Sequence, residues 1–319
     1  MTEMKKTPVI VIVGPTAVGK TKTGIELAKA FDGEIVSGDS VQVYRGMDIG
    51  SAKVTVEEAE GVPHHLIDIC DPDEAMSVAK FQRLARAAID DIYSRGKVPI
   101  VVGGTGLYIR AILYDYEFTE RPVDTELRAA LEAEAEVHGA EALHDRLRAL
   151  DPRRADIIHP NNVRRVIRAL EVALSGDEQA MDSAPSEHYD YKLFVLHANR
   201  DVLYERINHR VDLMIEAGLI EEVERLLHAG YRETQALRAI GYKEVVPYLD
   251  GKLTRERMTE TLKQHTRQFA KRQLTWFRHQ FDGIWVDMGK KSFELSYKNI
   301  YDEVEEFFRK FRLFERDID

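Results

Sequence analysis

The sequence predicts an α/β fold in which a parallel sheet is flanked by helices, together with a helical insertion domain. Three observations support this prediction. Short apolar runs rich in β-branched residues alternate with helix-like segments over the first 116 residues. Glycine-rich turns follow several of these runs. Between Asp124 and Ser175 the pattern changes, and only helical spacing remains.

The first strands and helices follow directly from this pattern. Val9–Val13 is a buried-strand run, and Lys20–Phe31 has the composition of a helix. Glu34–Ser37 predicts a second strand that ends at Gly38-Asp39-Ser40. Leu66–Ile69 is a candidate third strand. These elements predict a βαβ arrangement at the N-terminal end of the chain.

The same pattern continues to about residue 116. Ser77 is a candidate N-cap for an amphipathic helix. One stripe of this helix carries Val78, Phe81, Ala85, Ala88 and Ile92. Val98–Val102 is a further apolar strand, and it ends in Gly103-Gly104-Thr105-Gly106.

The next segment reads as an insertion. Asp151-Pro152 has the form of a helix start, with Pro at the first helical position. Asn162–Leu174 predicts another helix, stopped by Gly176, and Asp177–Asp190 predicts a loop. We therefore predict a helical insertion domain at 117–190, and a P-loop α/β core domain formed by 1–116 and 191–319.

The last part of the chain returns to alternating strands and helices, which completes the predicted sheet. Asp201 is a candidate cap for the helix after the first of these strands. The predicted elements are a strand at Lys192–Ala198, helical stretches from Asp201 to Gly230 interrupted at Gly218, a long helix at Thr254–Phe281, a strand at Gly283–Met288 and a helix at Tyr297–Phe311.

Composition excludes several classes of protein. The single cysteine, Cys70, cannot form an internal disulfide, which suits a reducing cytoplasm. Val9–Val13 is too short to span a bilayer, so we expect no membrane association. The net charge of −10 argues weakly against nucleic-acid binding, although binding depends on local charge.

One motif predicts phosphate binding. It fits the phosphate-binding P-loop pattern G-x-x-x-x-G-K-[ST] between a strand and a helix, and therefore predicts a P-loop NTPase-like core. Lys20 is expected to neutralise terminal phosphates, and Thr21 to help hold Mg²⁺. The motif consists of Gly14, Pro15, Thr16, Ala17, Val18, Gly19, Lys20 and Thr21.

Polar residues at strand ends are the candidate catalytic groups. Asp39 follows a predicted strand and could bind Mg²⁺ or accept a proton, although a turn Asp explains it equally well. Thr105 could orient a substrate, or it could cap the next helix. Arg206 and Arg210 lie four residues apart and could face a diphosphate, or they could form a solvated helix face.

Two basic segments point towards nucleic acid. Thr261–Phe281 contains no Asp or Glu, and its Lys263, Arg267 and Lys271 follow a spacing of four. Arg164, Arg165 and Arg168 form a smaller cluster. Such residues suit phosphate contacts, but each cluster alone is also typical of a solvated face.

Taken together, these motifs resemble those of the tRNA dimethylallyltransferases. They run in the family's order over most of the chain, from Gly14 to Arg278. Besides the P-loop, the matching strings are Asp39–Lys53, Pro63–Leu66, Gly103–Tyr108, Asn162–Arg165, Arg206 and Arg210 with Gly218-Leu219, Ala239–Glu244 and Lys271–Arg278.

The resemblance implies transfer of a dimethylallyl group from its diphosphate to the N6 amine of the adenosine just 3′ of the anticodon. It implies catalytic roles for Asp39, Thr105 and Arg210, and a P-loop that binds the diphosphate with Mg²⁺. The expected partners are the tRNA anticodon stem-loop and dimethylallyl diphosphate, and the chain is expected to be a monomer. The implied tRNA contacts are Asp39, Ser40, Val41, Gln42, Asn162, Val163, Arg164, Arg165, Val166, Ile240, Gly241, Tyr242, Lys243, Lys271, Arg272, Gln273, Trp276 and Arg278.

Three alternatives remain at this point. A P-loop kinase would bind ATP and phosphorylate a small acceptor, for which the basic Thr261–Phe281 segment is a poor fit. A prenyltransferase acting on free adenine nucleotides would not need the Arg164-Arg165 cluster. A non-catalytic RNA-binding protein would not need intact Lys20, Thr21 and Asp39.

Overall fold

The computed structural model describes residues 6–116, 124–175, 184–290 and 292–311. It contains two compact units, one formed by the chain up to Tyr114 and from Pro185 onwards, and one formed by Asp115–Ala184. The sequence-based bounds of the second unit were 117–190. Gly176, residues 177–183 of the predicted loop at Asp177–Asp190, and Glu117 lie outside the described residues.

A six-stranded, all-parallel sheet forms the centre of the first unit, and the predicted fold class is confirmed. Its spatial order is β3-β2-β4-β1-β5-β6. The strands are β1 Thr7–Val13, β2 Gly33–Ser37, β3 His64–His65, β4 Val98–Gly103, β5 Tyr189–His197 and β6 Ile284–Asp287.

The third strand is shorter and earlier than predicted. The prediction at Leu66–Ile69 was wrong, because β3 covers only His64–His65. Leu66 and Asp68 have φ angles of 64° and 55°, and a positive φ is incompatible with an extended strand.

Helices cover both faces of the sheet, as the continuous apolar strands require. Alternate residues of β1 enter different apolar layers: Val9, Val11 and Val13 face one, and Ile10 and Ile12 face the other. The helices of this unit are α1 Lys20–Ala30, α2 Val56–Ala59, α3 Val78–Ser94, α4 Gly106–Leu113, α8 Arg200–Glu216, α9 Leu219–His228, α10 Val246–Leu249, α11 Arg255–Gln280 and α12 Phe293–Arg309, with α5 to α7 in the second unit.

One predicted helix start in this unit is confirmed and two are displaced. Ser77 caps α3 by accepting a hydrogen bond from the Lys80 backbone N–H. Asp201, by contrast, is not a cap, because α8 begins one residue earlier at Arg200. The last helix begins at Phe293 instead of Tyr297, since Ser292 supplies its cap.

The second unit is helical throughout its described residues. Its elements are α5 Thr125–Leu150, α6 Pro152–Ile157 and α7 Val163–Ser175, and α5 is interrupted at Gly139, where φ is 85°. Asp151 caps α6 with Pro152 in the first turn, as predicted. Leu131, Leu143, Leu147, Val166 and Leu170 form its buried core.

The described residues include no helix of the length and apolarity that crossing a bilayer requires.

A buried carboxylate supports the edge of the sheet near β3. Glu34 on β2 is 4% exposed, and both of its oxygens accept hydrogen bonds from Arg95, at 2.6 and 2.7 Å. His65 Nε2 lies 2.7 Å from the same group. The bonds from Arg95 are the main reason that the pKa of Glu34 falls to about 2.

We predict that Glu34→Gln lowers the free energy of unfolding at neutral pH by about 2 kcal/mol, because the buried amide cannot replace the charge-assisted hydrogen bonds that the carboxylate accepts from the partly exposed Arg95. The contribution of Glu34 is fully present above its ordinary pKa of 4.5 and is lost as the pH falls towards 2. Denaturant titrations at several pH values should therefore show the two proteins converging in acid.

The matched control is Asp91→Asn, which removes the more exposed carboxylate that also contacts Arg95. We expect a much smaller change in stability from it. Equal losses from the two substitutions would contradict the role given to Glu34.

Candidate active site

The P-loop lies between the end of β1 and the start of α1. Gly14 must be glycine, because a Cβ there would lie 2.5 Å from the Leu196 carbonyl oxygen and its φ is 152°. Ala17 and Gly19 also have positive φ angles, of 62° and 105°. The loop therefore folds tightly ahead of the α1 N-terminus, where backbone N–H groups and the helix dipole favour an anion.

Two cations converge on this loop. Lys20 Nζ donates to the Pro15 carbonyl at 2.7 Å, and Arg210 Nη1 donates to Thr16 Oγ1 at 3.4 Å. Within the part of the chain that the structure describes, neither cation forms an ion pair with a carboxylate.

Burial and mutual repulsion leave these charges poorly stabilised. Burial is the main cause that lowers the pKa of Lys20 to about 7; the charge of Arg210 lowers it further, while Asp39 opposes the shift. Burial also lowers the pKa of Arg210. A bound phosphate anion would relieve both effects, and the arrangement is therefore suited to a diphosphate or triphosphate.

Asp39 lies at the carboxyl end of β2 and serves partly as a turn residue. Its Oδ1 accepts hydrogen bonds from the backbone N–H groups of Val41 and Gln42, at 2.8 and 3.4 Å. Its Oδ2 accepts none from the described residues. The turn role therefore occupies one oxygen, and the other is available as a metal ligand or proton acceptor.

Thr105 connects two loops instead of capping its helix. It occupies the N-cap position of α4, but its side chain makes no capping hydrogen bond. Its Oγ1 accepts from the Ser40 N–H at 3.0 Å and donates to Ser40 Oγ at 3.2 Å. The hydroxyl thus fixes the loop after β4 against the loop that carries Asp39.

The two arginines of α8 have different neighbours. Arg210 contacts the P-loop, as described above. Arg206 is exposed and donates to the Met288 carbonyl at 3.1 Å, beyond the end of β6. The structure places only Arg210 at the P-loop.

The basic stripe predicted along α11 is mostly neutralised, which corrects that expectation. Lys263 Nζ lies 2.7 Å from an Asp212 carboxylate oxygen, and Arg267 lies 2.9 Å from Glu260. Lys271, by contrast, is exposed and forms no ion pair with a described residue.

Three of the residues implied as tRNA contacts have buried side chains. Val166 and Tyr242 have no exposed surface, and Gln273 is 7% exposed. A buried side chain does not reach the protein surface, so in this conformation these three side chains can support the surface but cannot contact tRNA directly. Ile240, Val163, Val41 and Trp276 are partly buried, and Gly241 is buried.

The remaining predicted contacts are accessible. Those with exposed side chains are Asn162, Arg164, Arg165, Lys243, Lys271, Arg272 and Arg278. Ser40 and Gln42 are partly exposed. Arg278 lies over the Trp285 ring at 5.6 Å, and Arg272 over the Phe269 ring at 5.8 Å.

Sequence analysis missed a buried carboxylate that organises this region. Glu222 on α9 is 1% exposed and accepts backbone N–H bonds from Asp48, Ile49 and Gly50, at 2.9 to 3.1 Å. The Tyr242 hydroxyl also donates to it at 2.8 Å. No sequence signal marks this residue, because a helical Glu is normally solvated.

This anchored loop reaches the catalytic candidates through Gln42. Its side-chain amide donates to the carbonyls of Ser51 and Ala52, each at 3.3 Å. Its side-chain oxygen accepts from Ser37 Oγ at 3.0 Å. Gln42 is therefore held on both sides, next to the turn formed by Asp39.

A second buried carboxylate, Glu244, holds the segment 240–243. It accepts from the Gly241 N–H at 2.9 Å and lies 2.7 Å from His265 Nδ1 on α11. The backbone of this segment is thereby fixed while Lys243 remains exposed.

The chain is similar to known proteins over most of its length. Residues 42–280 match the family described as IPP transferase. The chain is 81% identical over 311 residues to a tRNA dimethylallyltransferase of Exiguobacterium sp. strain AT1b, covering 98% of this chain and 100% of that protein. It is 51% identical to the tRNA dimethylallyltransferase of Bacillus subtilis, covering 94% and 97% respectively.

Solved structures give the same result. The full-length tRNA isopentenylpyrophosphate transferase of Bacillus halodurans is similar with a TM-score of 0.74 and 48% identity, covering 98% of this chain and 100% of that one. A eukaryotic dimethylallyltransferase acting on tRNA is similar with a TM-score of 0.79 and 31% identity, covering 96% and 80%.

We predict that pyrophosphate affinity depends on the protonation of Lys20. The pKa of Lys20 is about 7 in the protein without a bound anion. The dissociation constant for pyrophosphate should therefore rise by up to about tenfold per pH unit above 7. Calorimetric titration with inorganic pyrophosphate from neutral to alkaline pH measures this slope.

Lys20→Arg is the matched control, since a guanidinium stays protonated throughout this range. Pyrophosphate itself also titrates, so the informative quantity is the ratio of the two proteins' dissociation constants. A ratio that does not change with pH would contradict the predicted protonation of Lys20.

Proposed function

This chain belongs to the tRNA dimethylallyltransferase family and prenylates tRNA, and we propose how its own residues carry out that reaction. The proposed donor is dimethylallyl diphosphate. The proposed acceptor is the N6 amine of the adenosine just 3′ of the anticodon, in the anticodon stem-loop. Diphosphate is released. Membership of this family rules out the two alternatives of a P-loop kinase and of a non-catalytic RNA-binding protein.

The proposal depends chiefly on two cations at the P-loop that form no ion pair with a described residue. Lys20 and Arg210 would take the charge that develops on the departing diphosphate, together with the backbone N–H groups of the loop. An allylic C–O bond breaks readily when its leaving anion is stabilised. The P-loop would thus bind a diphosphate whose neighbouring carbon is attacked, with no attack on phosphorus.

The residues at the start of α1 suit one Mg²⁺. Among the described residues no three His, Cys, Asp or Glu side chains form a metal cluster, so the diphosphate would supply most ligands. The Thr21 hydroxyl is exposed and has no described protein partner, which fits a single ligand. Bound there, Mg²⁺ would neutralise part of the diphosphate charge.

Asp39 and Thr105 would act on the acceptor. An adenine amine is a weak nucleophile because its lone pair is delocalised into the ring. As the new N–C bond forms, the C–O bond electrons pass to diphosphate and an amine proton passes to Asp39 Oδ2. Thr105, fixed to Ser40, would orient the amine beside that carboxylate.

The exposed cations would bind the tRNA backbone. In the first unit these are Lys243, Lys271, Arg272 and Arg278, and in the second unit Arg164 and Arg165. The adenosine lies in a loop, so unstacking it costs only a few kcal/mol. We propose that the chain works as a monomer in the cytoplasm, where an unpaired, buried Cys70 is stable.

A direct test supplies labelled dimethylallyl diphosphate with tRNA, with free adenine nucleotides, or with no acceptor. Label should appear in tRNA alone. Modification of free AMP, ADP or ATP at a comparable rate would contradict the proposed acceptor.

We predict that Asp39→Asn lowers kcat by a factor of at least about 100, because it removes the proton acceptor. The amide oxygen can still accept from the Val41 and Gln42 N–H groups, so the turn and tRNA affinity should persist. Single-turnover rates and tRNA dissociation constants measure the two effects separately. A parallel loss of rate and affinity would show that Asp39 mainly maintains the loop.

We also predict that Lys271→Ala with Arg272→Ala weakens tRNA binding and flattens its salt dependence. Each lost phosphate contact should reduce the slope of log K against log salt by about 0.7 to 1. Filter binding over a range of salt concentrations measures this slope. The control is Arg255→Ala, which removes an exposed cation at the start of the same helix. An unchanged slope in the double variant would show that Lys271 and Arg272 do not contact tRNA.

A further inference from the structure

Gln273 lies on α11 between exposed cations, but its side chain points into the protein. Its Oε1 accepts a hydrogen bond from the Thr16 backbone N–H at 3.1 Å. Its Nε2 donates to the Gly104 carbonyl at 2.9 Å. One buried amide therefore connects two loops that are far apart in sequence.

The two loops have different proposed tasks. Thr16 belongs to the P-loop, and its hydroxyl accepts from Arg210. Gly104 immediately precedes Thr105, which is bonded to Ser40 beside Asp39. Gln273 thus connects the half of the site that would hold diphosphate with the half that would hold the amine.

The fit around this amide is close. A Cβ on Gly104 would lie 2.5 Å from Gln273 Nε2, so a larger residue there would displace the amide from this position. Trp276, three residues further along α11, packs on Gly106, where a Cβ would lie 2.2 Å from the ring. The turn at Gly104–Gly106 is therefore fixed to α11 at both ends.

The chemistry of the side chain matters as well as its length. An amide donates and accepts at once, which both partners require. Glu could accept from Thr16 but could not donate to Gly104, and Met could do neither.

We propose that Gln273 is a positioning residue that sets the separation between the diphosphate cradle and the Asp39–Thr105 pair, and that it does not contact tRNA. This inference rests on the proposed function. Displacement at an allylic carbon needs the donor and the amine in register, and an error of about 1 Å can cost about 100-fold in rate.

The test compares Gln273→Met with Gln268→Met, an exposed glutamine on the same helix. Three quantities are measured: affinity for inorganic pyrophosphate without tRNA, affinity for tRNA without donor, and kcat at saturating tRNA. For Gln273→Met we expect pyrophosphate affinity to fall about three- to tenfold and kcat about 10- to 100-fold. Its tRNA affinity should stay within about twofold, and Gln268→Met should change none of the three.

The opposite pattern would overturn the proposal. Weaker tRNA binding with unchanged pyrophosphate affinity and kcat would make Gln273 a tRNA contact, and no change at all would remove any role. A merely structural role would lower the thermal midpoint without moving the pyrophosphate dissociation constant of the folded fraction.

Gln273→Glu provides a second variant if the Met variant does not fold, because it keeps the bond from Thr16. It should reproduce the loss of kcat with tRNA affinity retained, and wild-type kcat in this variant would also overturn the proposal. Since pyrophosphate and tRNA binding are measured without prenyl transfer, failure of the proposed reaction would be recognised separately.

Discussion

The site depends on keeping two positive charges, Lys20 and Arg210, largely out of water against one loop. Burying a cation without a counter-ion is unfavourable, and repulsion between neighbours adds to the cost. Among the described residues, the hydrogen-bond partners of these cations are uncharged, a carbonyl for Lys20 and a hydroxyl for Arg210. The folded protein is therefore preorganised for an anion, and a bound anion would compensate these two positive charges.

The order of the strands explains why Asp39 and Thr105, the proposed groups for the acceptor, lie beside the proposed anion site. In a parallel sheet all carboxyl ends meet at one edge, and β2, β4 and β1 are neighbours there. Asp39, Thr105 and the P-loop follow these three strands in turn. Strand pairing brings three short sequence motifs, about 25 and 65 residues apart, to one edge of the sheet.

The sequence predicted those parts of the molecule whose signals are local. The strand before the P-loop, the α6 cap and the positions of Lys20 and Asp39 just after β1 and β2 are each visible within a few residues. Leu66–Ile69 failed because its apolar pattern does not reveal positive φ angles. Lys263 looked available because its partner Asp212 lies on another helix. Arg267 looked available because its partner Glu260 lies just before the acid-free segment that begins at Thr261. The structural roles of Glu222 and Gln273 could not be predicted from the sequence, since the burial of a polar residue depends on tertiary contacts.

The hydrogen bonds that Glu222 accepts determine which substitutions in the loop at residues 48–50 preserve its anchor. Glu222 accepts hydrogen bonds from the backbone N–H groups of Asp48, Ile49 and Gly50, so these bonds do not depend on the side chains of the first two residues. Gly50 is different, because a Cβ there would lie 2.5 Å from the Tyr242 ring. Substitutions at residues 48 and 49 therefore leave these backbone bonds in place, whereas substitution of Gly50, Tyr242 or Glu222 disrupts the anchor.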